Sequence, residues 1–186
     1  MSASAKPTLR MSVEEFLQWH PAPPTDERFE LLDGVPVAMA PATIGHGDAI
    51  YAINTLLRAA IDSGGLPCQV VQDSAGIRID ANSMFIPDLM VHCGERLVGS
   101  VREVAAPVIV VEIASPSTWR YDSNVKLDGY FQVPSVQHYL AVLWDKRRVI
   151  HHRRTADGSI ETRILGDEAV RLDPPGILLK DIFLPL

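Results

Sequence analysis

The sequence is poor in cysteine. Among its 186 residues there are only two, Cys68 and Cys93. Two unclustered cysteines supply neither a disulfide framework nor the ligands of a structural zinc site. We therefore expect both thiols to be reduced, as they are in most cytoplasmic proteins.

Long apolar runs are also missing. No uninterrupted run approaches the roughly 18 residues that a membrane-spanning helix needs, and the N-terminal segment MSASAKPTLRMSVEEF lacks the apolar core of a secretory signal peptide. No unit of about 20 to 50 residues recurs, which excludes a solenoid. We expect a cytoplasmic protein that does not associate with membranes.

The third shortage is positive charge. The formal net charge is −6 at pH 7, and the isoelectric point is about 5.4. This balance argues against a broad basic face for nonspecific binding to nucleic acid. It is compatible with a small site in which a metal ion supplies the positive charge.

The sequence does contain alternating helix and strand patterns. The capping-box pair of Ser12 and Glu15 begins a short helix, and Asp33-Gly34 marks a β-hairpin. We expect a flexible arm over residues 1–10 and a single domain over residues 11–186. Helices are predicted over residues 46–63 and 121–133, and strands over residues 68–72, 76–80, 84–92, 107–113 and 136–144. The fold class is mixed α/β (α+β), with the N-terminal helix and hairpin before the central elements and a β extension after them.

Two carboxylates interrupt apolar strands, Asp88 in FIPDLMV and Glu112 in VIVVEIA. Two buried carboxylates resist ionisation unless a cation lies between them. Mg²⁺ suits such a pair because it takes hard oxygen ligands and keeps several waters. The ASPST segment after Glu112 leaves space at the strand end, where ligands of open α/β sheets bind.

Lys126 follows on the next predicted helix, whose core face contains Leu127, Tyr130 and Phe131. At about 100° per residue, Lys126 lies about 90° from the centre of that face. A lysine at the edge of the face can reach over the ends of the strands.

Four segments, in this order and at this spacing, resemble the Uma-type restriction endonuclease family: IPDLMV, VVEIASPST, YDSNVKLDGYFQV and HYLAVLW. This bacterial family is catalogued mainly as a domain of unknown function. The family is part of the PD-(D/E)XK nuclease superfamily. The segments MSVEEFL, RFELLDG and GILLKDIFLPL extend the resemblance over roughly residues 11–186. It implies a restriction-endonuclease-like core of helix, three strands, helix and strand, which agrees with the patterns above.

The resemblance also implies which residues form the site. Asp88 matches the aspartate of the PD motif and Glu112 matches the second acid. The superfamily pattern has lysine two residues after that acid, where this chain has Ala114, and Lys126 is the match in this family. Glu30 matches a further acidic position.

The implied activity is that of a metal-dependent endonuclease that hydrolyses phosphodiester bonds, with DNA as the substrate. Mg²⁺ or Mn²⁺ would be held by Asp88, Glu112 and the backbone carbonyl of Ile113. Lys126 would orient the attacking water or stabilise the phosphate. Glu30 would bind a second ion or position water.

Each of these residues also has a structural interpretation. Asp88 would cap a strand end, and Glu112 would form an ion pair with Lys126 or Arg120. Lys126 would be a solvated helix residue. Glu30 would pair with an arginine across strands. The alternative function is a catalytically inert nuclease-fold protein that binds or regulates another molecule. Binding of Mg²⁺ or Mn²⁺ separates the two functions.

Three features outside this set allow more than one interpretation. His46 is interpreted as a solvated residue at a helix start, with a position facing the cleft as the alternative. The HHRR segment, residues 151–154, is interpreted as an exposed edge strand, with contact to phosphates as the alternative. Tyr130 would either pack in the core or flank the site. An apolar edge or face of VIVVEIA and QHYLAVLW would favour self-association, and we expect a homodimer.

Overall fold

Two helices and the strands between them form the centre of the molecule. The computed structural model describes residues 10–22, 24–114 and 119–183, with the side chains of 119–123 excepted. Most of the predicted N-terminal arm lies outside the described residues, as do 115–118 of the ASPST segment and the side chain of Arg120. The division into arm and domain therefore stays a prediction.

The N-terminal elements form as predicted. Helix α1 (Val13–Gln18) begins with the capping box, in which the Ser12 hydroxyl accepts from the Glu15 N–H and the Glu15 carboxylate accepts from the Ser12 N–H. Strands β1 (Phe29–Leu32) and β2 (Val35–Ala38) form a hairpin. The residues between them, Asp33 and Gly34, both have positive φ, as this type of tight turn requires.

The remaining elements follow in chain order. They are α2 (Ile44–Ser63), β3 (Cys68–Gln72), β4 (Ile77–Arg78), β5 (Met84–Phe85), β6 (Leu89–Cys93), β7 (Pro107–Ile113), α3 (Trp119–Gln132) and β8 (His138–Leu143). After a short 3₁₀ helix (Trp144–Lys146) come β9 (Arg148–Arg154), β10 (Ile160–Leu165), β11 (Val170–Leu172) and β12 (Ile177–Leu179).

The central sheet has six strands in the order β10-β9-β8-β7-β6-β3. Only β7 and β8 are parallel, and the other neighbours are antiparallel. The elements α2, β3, β6, β7, α3 and β8 give the predicted order of helix, three strands, helix and strand, which confirms the fold class. A second sheet of four strands has the order β2-β1-β5-β4.

The predicted strand over residues 84–92 is two strands, β5 and β6, in different sheets. Pro87 lies in the break between them and has no N–H to donate to a ladder. This break joins the two sheets at the position of Asp88.

The two helices pack on opposite faces of the central sheet. Residues of α2 such as Ile53 and Leu57 share one buried cluster with Val111 of β7. Tyr130 of α3 lies in a second cluster with Val110. Because side chains alternate along a strand, Glu112 follows Val110 on the α3 face.

Two predictions about sheet edges are wrong. Strand β9, which contains HHRR, lies between β8 and β10, and its residues His151 and His152 are buried. Strands β7 and β8 are interior as well, so neither supplies an apolar edge for self-association. Strand β10 pairs along β9 and occupies the edge of the sheet instead.

The prediction of two reduced thiols is also wrong. Cys68 and Cys93 are directly opposite each other where β3 pairs with β6, and they form a disulfide. The sequence does not reveal this register, since the two residues are 25 positions apart. Among the described residues, none of the helices combines the length and apolar character needed to cross a membrane.

Candidate active site

Asp88, directly before β6, lies beside Glu112 of the neighbouring strand β7. The antiparallel pairing of β6 with β7 places Leu89 opposite Val111, and one further step of the register places Asp88 opposite Glu112. Oδ2 of Asp88 accepts a 2.7 Å hydrogen bond from the N–H of Ile113. The two carboxylate side chains are only 8% and 14% exposed.

Lys126 bridges two carboxylates from different sheets. Its Nζ lies 2.8 Å from Oε1 of Glu112 on β7 and 3.0 Å from Oε1 of Glu30 on β1. The same Glu30 oxygen accepts from the N–H of Ile86 at 3.0 Å. The structure thus brings together all four side chains that the resemblance singled out.

The close approach of α3 to the second sheet positions Lys126. A Cβ on Gly129 would lie 2.4 Å from Cε2 of Phe85, so any larger residue would require the Phe85 ring or the helix to move. One residue later, Tyr130 is fully buried, and its hydroxyl donates to Oε1 of Glu112 at 2.5 Å. Tyr130 therefore both packs in the core and contacts the site.

His46 is the site residue whose favoured interpretation is wrong. It lies in the first turn of α2, where its N–H donates to the hydroxyl of Thr43. Its Nε2 lies 3.0 Å from Oδ1 of Asp88, and its side chain is 24% exposed. His46 therefore faces the cleft and not the solvent, a position that depends on the packing of α2 against the central sheet.

Burial and like charges control the protonation of Glu112. Burial raises its pKa to about 7, the ammonium of Lys126 opposes that rise, and the charges of Asp88 and Glu30 add to it. One lysine does not balance three carboxylates in this environment. The site is therefore short of positive charge.

The pKa values of the neighbouring groups are raised as well. Burial by itself would lower the pKa of Lys126, but Glu112 and Glu30 outweigh burial and raise it, so Lys126 is an ammonium. The hydrogen bond to Asp88 raises the pKa of His46 against the effect of burial. Burial, with Glu112, raises the pKa of Tyr130, which keeps its hydroxyl proton.

All of these polar groups except Tyr130 line one cleft, with a volume of about 680 Å³. Its rim is largely apolar and includes the connection between β2 and α2, residues 39–43, together with Val125 of α3 and Trp144. Arg28 also lines the cleft but forms an ion pair with Asp73. The carboxylates thus open onto a space large enough for part of a ligand.

The donor set at the carboxylates fits Mg²⁺ or Mn²⁺. The described part of the chain holds no group of three or more His, Cys, Asp or Glu side chains arranged for a metal ion, but Mg²⁺ commonly binds one or two carboxylates and several waters. A strand residue directs its N–H and C=O to the same side. Because the N–H of Ile113 faces Asp88, its carbonyl faces the same gap and is available as a third oxygen.

The structural interpretations hold in part. Glu112 does form the ion pair with Lys126. The ion-pair partner of Glu30 is this same lysine and not an arginine. Lys126 is mostly buried and not a solvated helix residue.

Comparison with known proteins places the chain in a family. The Uma2 family model, described as "Putative restriction endonuclease", matches residues 13–183. This protein belongs to the Uma2 family. A relative from Synechocystis sp., "Uncharacterized protein slr1290", is 30% identical over 153 residues, which cover 82% of this chain and 78% of that protein.

A solved structure shares the fold of this Uma2 protein. It is described as a "putative nuclease belonging to DUF820" from Anabaena variabilis, with a TM-score of 0.73 and 16% sequence identity. The match covers 93% of this chain and 97% of the other. The family description supports a nuclease, and the solved structure shows a shared fold.

Proposed function

We propose that this Uma2 protein is a metal-dependent endonuclease that hydrolyses phosphodiester bonds of DNA. One observation carries the proposal, the position of Asp88 and Glu112 side by side beneath Lys126 at the base of the cleft. The family description supports the same class of reaction.

Asp88, Glu112 and the carbonyl of Ile113 would hold Mg²⁺ or Mn²⁺. The bound ion would supply positive charge for the phosphate and lower the pKa of a coordinated water. The raised pKa of Glu112 supports this assignment, because a carboxylate that is short of positive charge gains most from a cation.

Lys126 would act as a hydrogen-bond donor. Its pKa is raised, so it holds its proton and is suited to orient the attacking water or to stabilise a phosphate oxygen. Glu30 would hold the ammonium in place through the contact at 3.0 Å. His46 and Tyr130 would fix the two metal-binding carboxylates through their own hydrogen bonds.

The test is cleavage of supercoiled plasmid and of single-stranded DNA by the pure protein with Mn²⁺, with Mg²⁺ and with EDTA. We expect metal-dependent cleavage that falls by about a thousandfold in Asp88→Ala and in Lys126→Ala. Matched controls are Asp128→Ala and Lys146→Ala, which change exposed residues outside the cleft and should retain activity.

Cleavage that survives Asp88→Ala and Lys126→Ala would contradict the assignment of the site. Absence of cleavage on either DNA by a protein that also binds no metal would contradict the proposed function.

An inert nuclease-fold module is the second candidate. The double ion pair of Lys126 with Glu30 and Glu112 favours it, because that contact stabilises the cluster without any metal. The acidic net charge of −6 also favours it. A module of this kind would not bind Mn²⁺ at Asp88 and Glu112, so a metal titration separates the candidates.

A further inference from the structure

The central sheet ends in two different edges. At the β3 edge, Arg58 of α2 donates to the carbonyl of Val70, and Asn54 donates to the side chain of Gln72. At the other edge lies β10, whose strand partner in the described part of the chain is β9 alone. The β10 edge is therefore the one available for another strand.

The direction of the ladder shows which groups β10 presents. At the hairpin, the N–H of Thr155 donates to the carbonyl of Ser159, while the N–H of Arg154 donates away from β10 to Gln137. Because such pairs alternate along an antiparallel ladder, the N–H and C=O groups of alternate β10 residues point away from β9. These residues are Ile160, Thr162 and Ile164.

The sequence of β10 is complementary to itself in reverse. In an antiparallel pair of two β10 strands centred on Thr162, Ile160 of each copy faces Ile164 of the other, and Glu161 faces Arg163. Each pair lies on one face of the sheet, since the residues of a pair have the same parity. Apolar pairs and opposite-charge pairs of this kind stabilise antiparallel strands.

The exposure of these side chains agrees with such a partner. Ile164 is 70% exposed and Ile160 is 37% exposed, which is unusual for a pair of large apolar residues on one edge strand. Glu161 bonds to Arg163 and to Arg153 within the chain. The side chains of Glu161 and Arg163 are therefore already ordered on the face of the sheet where a second copy would contact them.

We propose that β10 pairs with β10 of a second copy of this chain, about a twofold axis through Thr162, and joins two six-stranded sheets into one. Charged residues on an edge strand usually oppose pairing. In this register they favour it, because each Glu161 meets an Arg163. A register shifted by one residue would lose both the charge pairs and the isoleucine pairs.

This interface is independent of the proposed catalytic function. Strands β9 and β8 separate β10 from β7, so each copy contains its own complete cleft. Loss of the dimer should therefore leave metal binding unchanged.

The experiment is sedimentation of the full chain, combined with oxidation of Thr162→Cys. We expect the wild type to sediment as a dimer and Thr162→Cys to form a disulfide-linked dimer, since opposed residues at a two-strand interface are about 5.5 Å apart. Thr55→Cys, on an exposed position of α2, is the matched control and should not crosslink.

Ile164→Lys tests the same interface without a crosslink. The side chain is exposed in the single chain, so the substitution should leave the fold intact and weaken the dimer at least tenfold. A monomeric wild type would overturn the proposal. A dimer that neither crosslinks through Thr162→Cys nor weakens in Ile164→Lys would overturn it as well, because it would use another surface.

Discussion

Two clusters of ionisable side chains lie on the same central sheet, and they differ in charge. The first is the acidic cluster of Glu30, Asp88 and Glu112 with Lys126. The second is a histidine pair, in which Nδ1 of His138 lies 3.0 Å from Nε2 of His151. Both are buried, but only the acidic cluster lines the large cleft.

The hydrogen bond between the two histidines forms without any charge. The carbonyl of Pro174, 3.0 Å from Nε2 of His138, can only accept, so that nitrogen carries the proton. Nδ1 of the neutral ring then accepts from the Nε2–H of His151. Burial lowers the pKa of each histidine to about 4.

The acidic cluster cannot be satisfied in the same way. Carboxylates donate nothing when ionised, and a single ammonium serves two of the three. Burial with unbalanced charge indicates a binding site, whereas burial with complete hydrogen bonding indicates a structural one. Three substitutions and a change of pH test whether the two clusters differ in this way.

Lys126→Met should have the largest effect on stability. It leaves buried carboxylates without their cation, and we expect the free energy of unfolding to fall by about 3–5 kcal/mol in EDTA. Mn²⁺ should restore part of the loss. Urea unfolding measures both values, with the exposed Lys146→Met as a control that should change stability by less than about 0.5 kcal/mol. An unchanged free energy of unfolding would mean that Lys126 does not offset the repulsion among the buried carboxylates.

The two clusters should respond to pH with opposite signs. The pKa of Glu112 is about 7 in the folded chain and 4.5 ordinarily, so the folded state binds the extra proton and stability decreases as pH rises between these values. The histidines titrate near 4 in the folded chain and at 6.5 ordinarily. The unfolded state then binds the extra protons, and stability decreases as pH falls through this window.

Each titrating group should contribute on the order of 3 kcal/mol, at about 1.4 kcal/mol per pKa unit. Urea unfolding between pH 4 and 8 measures them, with Glu112→Gln removing the first dependence and His151→Gln the second. Glu112→Gln should remain folded and be more stable than the wild type above pH 7, because it lacks the buried charge. An unfolded Glu112→Gln would show instead that the ion pair with Lys126 is structural.

His46→Ala should weaken Mn²⁺ binding by about 10 to 100-fold, because the imidazole holds Oδ1 of Asp88. His46→Gln keeps a donor near the same place and should recover part of the affinity. Calorimetric titration measures both variants. Equal affinity in wild type and His46→Ala would show that the contact does not position Asp88.

Tyr130→Phe should have the smallest effect. It keeps the ring between Phe85 and Tyr139 but removes the donor to Glu112, at a cost of about 1 kcal/mol in unfolding free energy. Tyr51→Phe, at a position that is 66% exposed, is the matched control and should be neutral. A Tyr130→Phe protein as stable as that control would contradict a role for the hydroxyl.

Local features of the fold were predictable from sequence. The capping box at Ser12, the turn at Asp33-Gly34 and the helical spacing of α2 each depend on residues a few positions apart. The acids Asp88 and Glu112 stood out because a carboxylate in an apolar strand is costly. The helix position of Lys126 indicated that it can reach over the strand ends. The match of these three residues to a nuclease site, and the choice of Glu30, came from the family resemblance.

Features that depend on long-range pairing were not predictable. The disulfide, the contact of His46 with Asp88 and the interior position of β9 each require a register or a helix packing that no local pattern encodes. The contact of the Tyr130 hydroxyl with Glu112 was not predictable either, because packing of the ring alone accounts for the burial of this residue.

The most direct test of the metal site is a Mn²⁺ titration of wild type, Glu112→Gln and His151→Gln under identical conditions. We expect saturable binding to the wild type, loss of that binding in Glu112→Gln and full retention in His151→Gln. Binding that survives Glu112→Gln, or that disappears with His151→Gln, would contradict the claim that the acidic cluster is the metal site.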